Sequence, residues 1–347
     1  MTQLIKIKMY NGIINVYKEK GYTSFDVVAR LRGILKQKKI GHTGTLDPDA
    51  EGVLVICLGN ATKLCDVLTD KDKRYDAVLM LGKTSDTEDS SGTILSDNEV
   101  KATDQEVREA VLSFIGEYDQ IPPMYSAIKV NGKKLYELAR QGIEIERKPR
   151  AVTIHSIEIK DIKLPYVSFE VSCGKGTYIR SLCRDIGEKL GCGGLMDSLV
   201  RSSVNAGISG VSFGLDDALK LDEIEELEKN GRLEERILTI DKMFPKLKKY
   251  KVTEDADKKL KNGNVLYVKD IVLLSSLMTA DDNLNAADDI YKSYDNSYDS
   301  GIMADRNNKQ DIKDGSDCLI YDCEGTFTAI YRYDKKVRGY KAYKMFL

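Results

Sequence analysis

A short stretch of the chain places one carboxylate within a glycine-rich loop. It reads Gly41-His42-Thr43-Gly44-Thr45-Leu46-Asp47-Pro48-Asp49-Ala50-Glu51-Gly52. Glycine permits tight turns and a close approach of the backbone to a ligand. Pro48 pushes the backbone of Asp47 away from the helical region. The pattern therefore predicts that the Asp47 carboxylate lies on a rigid loop in front of a buried strand, although the spacing alone favours an ordinary Asp-Pro turn.

Two further clusters contain side chains that could act together with a carboxylate. Arg180 falls in the first turn of a predicted helix after Gly174 and Gly176, where it could pair with a carboxylate and keep it ionised. An exposed arginine near Asp185 is the alternative interpretation. Tyr75 follows a basic run, so it could stack on a base or carry a proton; a tyrosine half-buried at a strand end fits equally well.

A basic segment lies between positions 122 and 150. It carries seven Lys or Arg against three Glu, with Tyr125 and Tyr136 interleaved. Positive charge follows phosphates, and aromatic rings stack on bases, so this composition suits a groove for RNA. A solvated helix face is about as plausible for this segment on its own.

Hydrophobic periodicity predicts the elements that must position these residues. Strands are expected at 13–17, 53–58, 75–81, 153–159 and 166–173, and helices at 23–35, 103–115 and 177–190. Thr23 or Ser24 is predicted to cap the first helix, Thr103 with Glu106 forms a capping box, and Asn60 is predicted to cap a short helix through Val67. Asn131-Gly132 is predicted to be the turn of a hairpin. Strands and helices mix without strict alternation, which indicates an α+β fold with a mixed, largely antiparallel sheet.

Charge divides the 347-residue chain unevenly. Its formal charge is −2, but residues 281–317 carry a net charge of −6, which leaves +4 for the remainder. This acidic stretch, rich in Asn and Ser, is predicted to be a disordered insertion. A boundary near 245–251 predicts a catalytic domain over 1–245 and a small β-rich module over 246–347, interrupted at 281–317.

Composition also excludes several classes of protein. Seven cysteines show no Cys-x-x-Cys pair, and the chain has two histidines, so disulfide scaffolds and zinc sites are poor expectations. No apolar run approaches the roughly 18 residues of a membrane span, and the start resembles no signal peptide. We therefore expect a cytoplasmic protein without a bound metal.

Several motifs, taken in order, resemble those of the TruB family of pseudouridine synthases, over roughly residues 12–203. The loop around Asp47 matches the family's catalytic motif. The other matching segments are Lys73-Arg74-Tyr75, Leu81-Gly82, Asp86 to Gly92, Gln120 to Ala127 and Lys175 to Arg180. The family's first strand usually ends in Lys-Pro, whereas here Lys18 is followed by Glu19. The resemblance implies a pseudouridine synthase fold with a PUA-like C-terminal module.

The resemblance also implies roles for individual residues. Asp47 would attack the uridine or its ribose, Arg180 would keep Asp47 ionised and oriented, and Tyr75 would stack on the flipped base and assist proton transfer. His42, Lys18, Tyr178 and Leu199 would contact the RNA or the target base. The reaction is an isomerisation, so neither a cofactor nor a metal is implied. The implied partner is the T stem-loop of tRNA at position 55, bound by a monomer.

Other functions remain open at this stage. A guide-RNA-dependent synthase of the dyskerin type would share these motifs, although that branch carries a long basic extension and a fuller PUA domain. An RNA-folding chaperone or binding module with dispensable catalysis would explain the basic segment but not a glycine-framed Asp. A hydrolase based on Cys and His has no recognisable set of residues.

Overall fold

The computed structural model describes residues 8–69, 72–205, 211–274 and 312–347. The chain forms two compact units, Met1–Phe244 and Pro245–Leu347. Of the predicted acidic insertion, residues 281–311 lie outside the described residues. Within the described ranges the fold is α+β, as predicted.

The strands of the described residues run as follows in chain order: β1 (Gly12–Lys18), β2 (Ile40–His42), β3 (Glu51–Leu58), β4 (Lys73–Leu81), β5 (Lys83–Ser85), β6 (Ile94–Asp97), β7 (Gly116–Gln120), β8 (Lys129–Val130), β9 (Lys133–Lys134), β10 (Arg150–Lys163), β11 (Tyr166–Cys173), β12 (Gly194–Asn205), β13 (Ser212–Gly214), β14 (Lys248–Val252), β15 (Ile271–Leu273), β16 (Asp317–Tyr321), β17 (Phe327–Asp334) and β18 (Gly339–Met345).

The helices of the same residues are α1 (Ser24–Leu35), α2 (Cys65–Thr69), α3 (Asp104–Leu112), α4 (Leu135–Ala139), α5 (Ile179–Lys189), α6 (Leu221–Lys229) and α7 (Glu254–Lys261). Short 3-10 helices cover Gly59–Leu64, Leu233–Arg236, Ile240–Met243 and Val268–Asp270.

The first unit is built on one large sheet. In the described residues it has nine strands, with the order β1-β3-β12-β4-β11-β10-β7, while β2 pairs with β3 and β13 pairs with β12. Its pairs are antiparallel except for β12 beside β3. The parallel contact brings Arg201 opposite Gly52, at the end of the glycine-rich loop. Strand pairing thus places the loop beside the middle of the sheet.

Two buried clusters hold helices to the elements of this unit. One packs α5 residues such as Leu182 and Ile186 with Phe169 and Leu79 of the sheet. The other packs α1 and α6 against β1 and β3. Burying these apolar faces is the main stabilising contribution to the unit.

Helix capping follows the predicted pattern at two helices and departs from it at a third. The cap predicted at Thr23 and the capping box predicted at Thr103 are confirmed, and Thr23 also forms a capping box, with Asp26. The helix after Thr103 ends at Leu112, three residues earlier than predicted. The prediction that Asn60 caps a helix is wrong, because the Asn60 side chain accepts a hydrogen bond from Lys39 and the chain enters a 3-10 helix at Gly59.

The second unit contains a five-stranded sheet within its described residues. The order is β15-β14-β16-β17-β18, with β14 parallel to β16. Its core packs Leu260 of α7 with Ile320, Tyr331 and Tyr340 of the strands. Asp317, the last residue of the predicted insertion, is the first residue of β16 and pairs with Arg332 at 2.7 Å. The PUA-like character of this unit stays a prediction.

Candidate active site

The loop that carries Asp47 is held from both sides by hydrogen bonds. The Thr43 amide donates to the Val55 carbonyl oxygen at 3.1 Å. The Ser24 hydroxyl, at the start of α1, accepts from the Leu46 amide at 2.9 Å and donates to the Leu46 carbonyl oxygen at 3.3 Å. Leu46 is buried, so the backbone next to Asp47 has little freedom. The loop therefore fixes the position of the carboxylate.

Asp47 and Arg180 form a two-pronged ion pair. Arg180 Nε lies 2.9 Å from Asp47 Oδ2, and Nη2 lies 3.1 Å from Oδ1. The Arg180 side chain is 5% exposed, whereas that of Asp47 is 37% exposed. The alternative of an exposed arginine is therefore wrong, because α5 presents Arg180 to the interior. The pair leaves a partly accessible carboxylate in a fixed orientation.

The Arg180 guanidinium has further partners that fix its orientation. It donates to the carbonyl oxygens of Thr87 and Tyr125, both at 2.9 Å. Asp89 Oδ2 lies 3.8 Å from Arg180 Nε, and the other Asp89 oxygen accepts from the Thr87 and Ser91 hydroxyls at 2.6 Å each. Arg180 thus joins three separate chain segments around Asp47.

Electrostatics at Asp47 result from opposing effects. Burial raises the pKa of the Asp47 carboxyl, and the charge of Arg180 opposes that rise; Asp89 adds a further rise, and the net direction is upward. The resemblance implies that Arg180 keeps Asp47 ionised. The charge of Arg180 does favour the ionised form, but burial and Asp89 together outweigh it. Asp47 therefore sits where ionisation depends on the ion pair.

Tyr75 and Leu199 lie on neighbouring strands of the same buried cluster. Tyr75 of β4 is opposite Arg201 of β12, and Leu199 is opposite Ala77. Tyr75 is 8% exposed, which makes it more buried than the predicted half-buried tyrosine. Burial raises the pKa of Tyr75 to about 12, Arg201 opposes the rise, and the charge of Asp47 adds to it. The charge of Asp47 therefore acts on Tyr75, as the smallest of the named effects on its pKa.

Lys18 lies beneath the loop instead of on an RNA-facing surface. It is fully buried at the end of β1, and its Nζ donates to the carbonyl oxygens of Glu19 and Pro48 at 3.1 Å each. Burial lowers the pKa of Lys18 to about 8, with the charges of Glu51 and Asp47 opposing the shift. This environment supports the Pro48 backbone, so contact between Lys18 and RNA, as the resemblance implies, stays a prediction that the geometry does not favour.

His42 ends β2 at the entrance to the loop. Its Nδ1 accepts a long hydrogen bond from the Gly44 amide at 3.4 Å. Burial and the charge of Arg201 lower the pKa of His42, which favours a neutral imidazole. His42 is half-buried beside the loop, but the structure does not show it in contact with Asp47.

Tyr178 precedes α5 and belongs to the surroundings of Asp47. Its backbone makes two bonds to the buried Gln120 side chain, with the amide donating at 2.8 Å and the carbonyl accepting at 3.0 Å. Burial raises the pKa of the Tyr178 hydroxyl; Ser126 and Arg180 oppose the rise, and Asp47 adds to it. Asp47, Arg180, Tyr75 and Tyr178 therefore form one electrostatically linked group.

Comparison with known proteins places the chain in a family. The family model described as "TruB family pseudouridylate synthase (N terminal domain)" matches residues 32–179. A protein of Lachnoclostridium phytofermentans named tRNA pseudouridine synthase B is 52% identical over 97% of this chain and 100% of its own length. A protein of the same name from Alkaliphilus oremlandii is 52% identical over 74% of this chain and 83% of its own.

The chain belongs to the TruB family of pseudouridylate synthases. It is therefore an isomerase. Solved structures agree on the fold: a Cbf5-Nop10-Gar1 complex matches with a TM-score of 0.61 and 24% identity over 97% of this chain and 85% of the other. An archaeal box H/ACA sRNP Nop10-Cbf5 complex matches with a TM-score of 0.60 and 23% identity over 99% and 89%. These two likenesses show the fold alone.

The basic segment 122–150 forms a small substructure beside the TruB-family site. The β8–β9 hairpin and α4 enclose a core of Met124, Leu135 and Leu138. The hairpin predicted around Asn131-Gly132 is confirmed. Three arginine side chains donate to carbonyl oxygens at its start: Arg184 to Ile121, Arg147 to Pro122 and Arg180 to Tyr125. The segment is therefore joined to Asp47 through Arg180.

Three residues of the site were missed by sequence reasoning: Ser24, Asp89 and Arg201. Asp89 lies within the motif from Asp86 to Gly92, so that motif could have indicated it. Arg201 gave no clear signal, because the sequence of β12 shows no regular apolar alternation that would reveal a buried strand. Ser24 gave no separate signal, because a serine that begins a helix is common.

The described residues form no disulfide, metal-binding cluster or membrane-spanning helix. All seven cysteines are free thiols. The described ranges contain no cluster of three or more His, Cys, Asp or Glu side chains arranged to hold a metal ion. In the same ranges, no helix is both long and apolar enough to span a bilayer.

Proposed function

We propose that this enzyme converts uridine to pseudouridine at position 55, in the T-arm loop of tRNA, with Asp47 as the catalytic carboxylate. The observation that carries the proposal is the Asp47–Arg180 pair, in which a buried guanidinium orients a partly accessible carboxylate. The names of the relatives support tRNA as the substrate. We further propose that the enzyme acts as a monomer in the cytoplasm and needs no guide RNA.

The net reaction exchanges one bond to the ribose for another. The bond from C1′ to N1 breaks, the uracil turns, and a bond from C1′ to C5 forms, while the hydrogen on C5 is lost and N1 gains one. Asp47 would act as the nucleophile on the uridine or its ribose, which requires its ionised form. The reaction is redox-neutral, so it requires no electron carrier. Arg180 would keep the carboxylate ionised and oriented through the reaction.

The surroundings of Asp47 suit a base taken out of its stack. Leu46, Tyr75, Ile179 and Leu199 belong to one buried apolar cluster beside the carboxylate. A flipped uracil gains stacking and apolar contact in such surroundings. Tyr75 would stack on the base, and its hydroxyl would assist proton transfer. We propose that Tyr178 and His42 contact the RNA around the flipped nucleotide.

The decisive experiment maps pseudouridine by position in an unmodified tRNA transcript. We expect the wild-type enzyme to convert position 55 without any added guide RNA. Asp47→Asn should bind the tRNA with unchanged affinity and form no pseudouridine. Asp49→Asn is the matched control, because Asp49 is an exposed carboxylate of the same loop.

Each alternative outcome has a distinct meaning. Product from Asp47→Asn at the wild-type rate would exclude Asp47 as the catalyst. Conversion at another position would overturn the proposed site. Activity that appears only after a guide RNA is added would favour the guide-dependent alternative. A benefit to tRNA folding that persists fully in Asp47→Asn would establish a separate chaperone role.

A further inference from the structure

Arg201 is a buried cation in the middle of the large sheet. It is 2% exposed and ranks among the largest fully buried side chains of the described residues. On β12 it lies opposite Tyr75 on one side and Gly52 on the other. A buried guanidinium is costly unless its N–H groups find acceptors, so its partners indicate what it stabilises.

The partners of the Arg201 guanidinium are carbonyl oxygens of the chain that flanks Asp47. Nε donates to Val53 at 2.7 Å, Nη2 to Gly44 at 3.3 Å and Nη1 to Thr45 at 3.5 Å. Gly44 and Thr45 precede Asp47, whereas Val53 follows the loop. One planar side chain therefore connects the entry and the exit of the catalytic loop.

The backbone of Arg201 reinforces the same connection. A Cβ placed on Gly52 would clash with the Arg201 carbonyl oxygen, and Gly52 has φ of +103°. Both observations require glycine where the loop returns to β3. The exit of the loop is thus packed directly against the strand that carries Arg201.

The charge of Arg201 also reaches two other groups of the site. It opposes the rise in the pKa of Tyr75 and contributes to the lowered pKa of His42. Two charges of opposite sign therefore act on Tyr75: the positive charge of Arg201 on β12 and the negative charge of Asp47.

We propose that Arg201 is a positioning residue for the pseudouridylation reaction, holding the loop that carries Asp47 through the carbonyl oxygens of Gly44, Thr45 and Val53. This inference rests on the proposed function for its kinetic test. It differs from the role of Arg180, because Arg180 touches the Asp47 carboxylate whereas Arg201 acts through the loop backbone. A lysine cannot reproduce the forked contacts, since its ammonium is a single point of charge.

The test compares Arg201→Lys and Arg201→Met with wild type in single-turnover reactions on unmodified tRNA. We expect the rate constant to fall about 10-fold for Arg201→Lys and about 100-fold for Arg201→Met, because a misplacement near 1 Å can cost that much. The Kd for tRNA should stay within about two-fold of wild type, since the guanidinium is buried. Arg232→Met is the control, because Arg232 is exposed and pairs with Glu235.

A second measurement does not depend on activity. Amide hydrogen exchange over residues 43–53 of the free enzyme should be faster in Arg201→Lys, while exchange in α3 stays unchanged. Exchange equal to wild type over the loop overturns the proposal even if the proposed reaction proves wrong. An Arg201→Lys variant at the wild-type rate also overturns it, whether or not Arg201→Met folds. Absence of wild-type activity at position 55 would count against the proposed function, and the exchange result would then decide the role of Arg201.

Discussion

The Asp47 loop and the basic segment 122–150 are held by similar interactions but to different degrees. Lys18, Ser24 and Arg201 are almost completely buried, and each bonds to the backbone of the loop. The segment has a three-residue core, and many of its charged side chains are exposed. The loop is thus fixed from several sides, whereas the segment is fixed mainly at its start.

This difference follows from what each region must bind. A catalytic carboxylate has to be held within a fraction of an ångström of its reacting position. A surface that follows an RNA backbone gains its affinity from charge, which tolerates variation in position. Regions with few buried contacts also open more easily. We therefore expect substitutions at the loop to affect the rate, and substitutions on the segment to affect binding.

Among the variants that compare these two regions, Arg180→Met should have the largest effect, because Arg180 contacts both of them. It removes the partner of Asp47 and a bond to the Tyr125 carbonyl oxygen. We expect the single-turnover rate to fall on the order of 100-fold to 1000-fold, because Asp47 loses both the donors that orient its carboxylate and the charge that favours its ionised form. Arg108→Met on α3 is the control. A rate within two-fold of wild type would show that the pair is not needed.

Lys18→Met tests the buried support of the loop through the pH dependence of stability. The pKa of Lys18 is about 8 in the folded protein and 10.5 ordinarily, so between these values the unfolded chain binds more protons. Wild-type stability should therefore rise with pH across that window relative to Lys18→Met, by on the order of 3 kcal/mol. Urea unfolding at pH 7 and pH 10 measures this difference. The control is Lys20→Met at an exposed position, whose free energy of unfolding should change with pH as that of wild type does. The same pH dependence in Lys18→Met would contradict the lowered pKa of Lys18.

Ser24→Ala should have a smaller effect that is still confined to the loop. It removes both bonds to Leu46 and leaves a buried amide without its acceptor, a cost of about 1–3 kcal/mol. We expect the rate to fall about 10-fold, with tRNA affinity unchanged. Thr23→Ala is a matched control, because it removes the cap of the same helix without touching Leu46. If the two variants lose the same activity, helix stability explains the effect and loop positioning does not.

Replacing Lys129 and Lys133 by Gln should have the smallest effect and should act on binding. Both are exposed on the β8–β9 hairpin. We expect a several-fold rise in Kd for tRNA and a lower salt dependence, because each phosphate contact contributes about 0.7 to 0.9 to the logarithmic salt slope. The single-turnover rate at saturation should stay unchanged. A control variant that removes the charges of Lys101 and Lys163 should leave the Kd for tRNA and its salt dependence unaltered. If the control weakens binding equally, the segment makes no special contribution to RNA binding.

The predicted elements that proved correct are those with local causes. The capping boxes at Thr23 and Thr103 depend on residues three positions apart, and the apolar run of β3 is buried as its sequence suggests. The α+β class followed from the same patterns. The Asn60 prediction failed because the 3-10 helix already begins at Gly59, so that Asn60 lies inside the helix and not at its cap position. The roles of the seven predicted site residues stay predictions, although the structure brings Asp47, Arg180, Tyr75 and Tyr178 together.

The sequence by itself predicted five strands and three helices of the first unit, and it gave the residue types available for catalysis. Glycine spacing and Pro48 shaped the loop, and ordered motifs indicated the family. Only the tertiary structure decided that Arg180 meets Asp47, that Lys18 lies beneath the loop and that Arg201 connects its two ends. The contacts of Arg180 and Arg201 join residues more than 130 positions apart. The burial of Lys18 depends on which neighbours exclude water from it. Such distances and burial arise from strand order and packing, which a linear pattern does not contain.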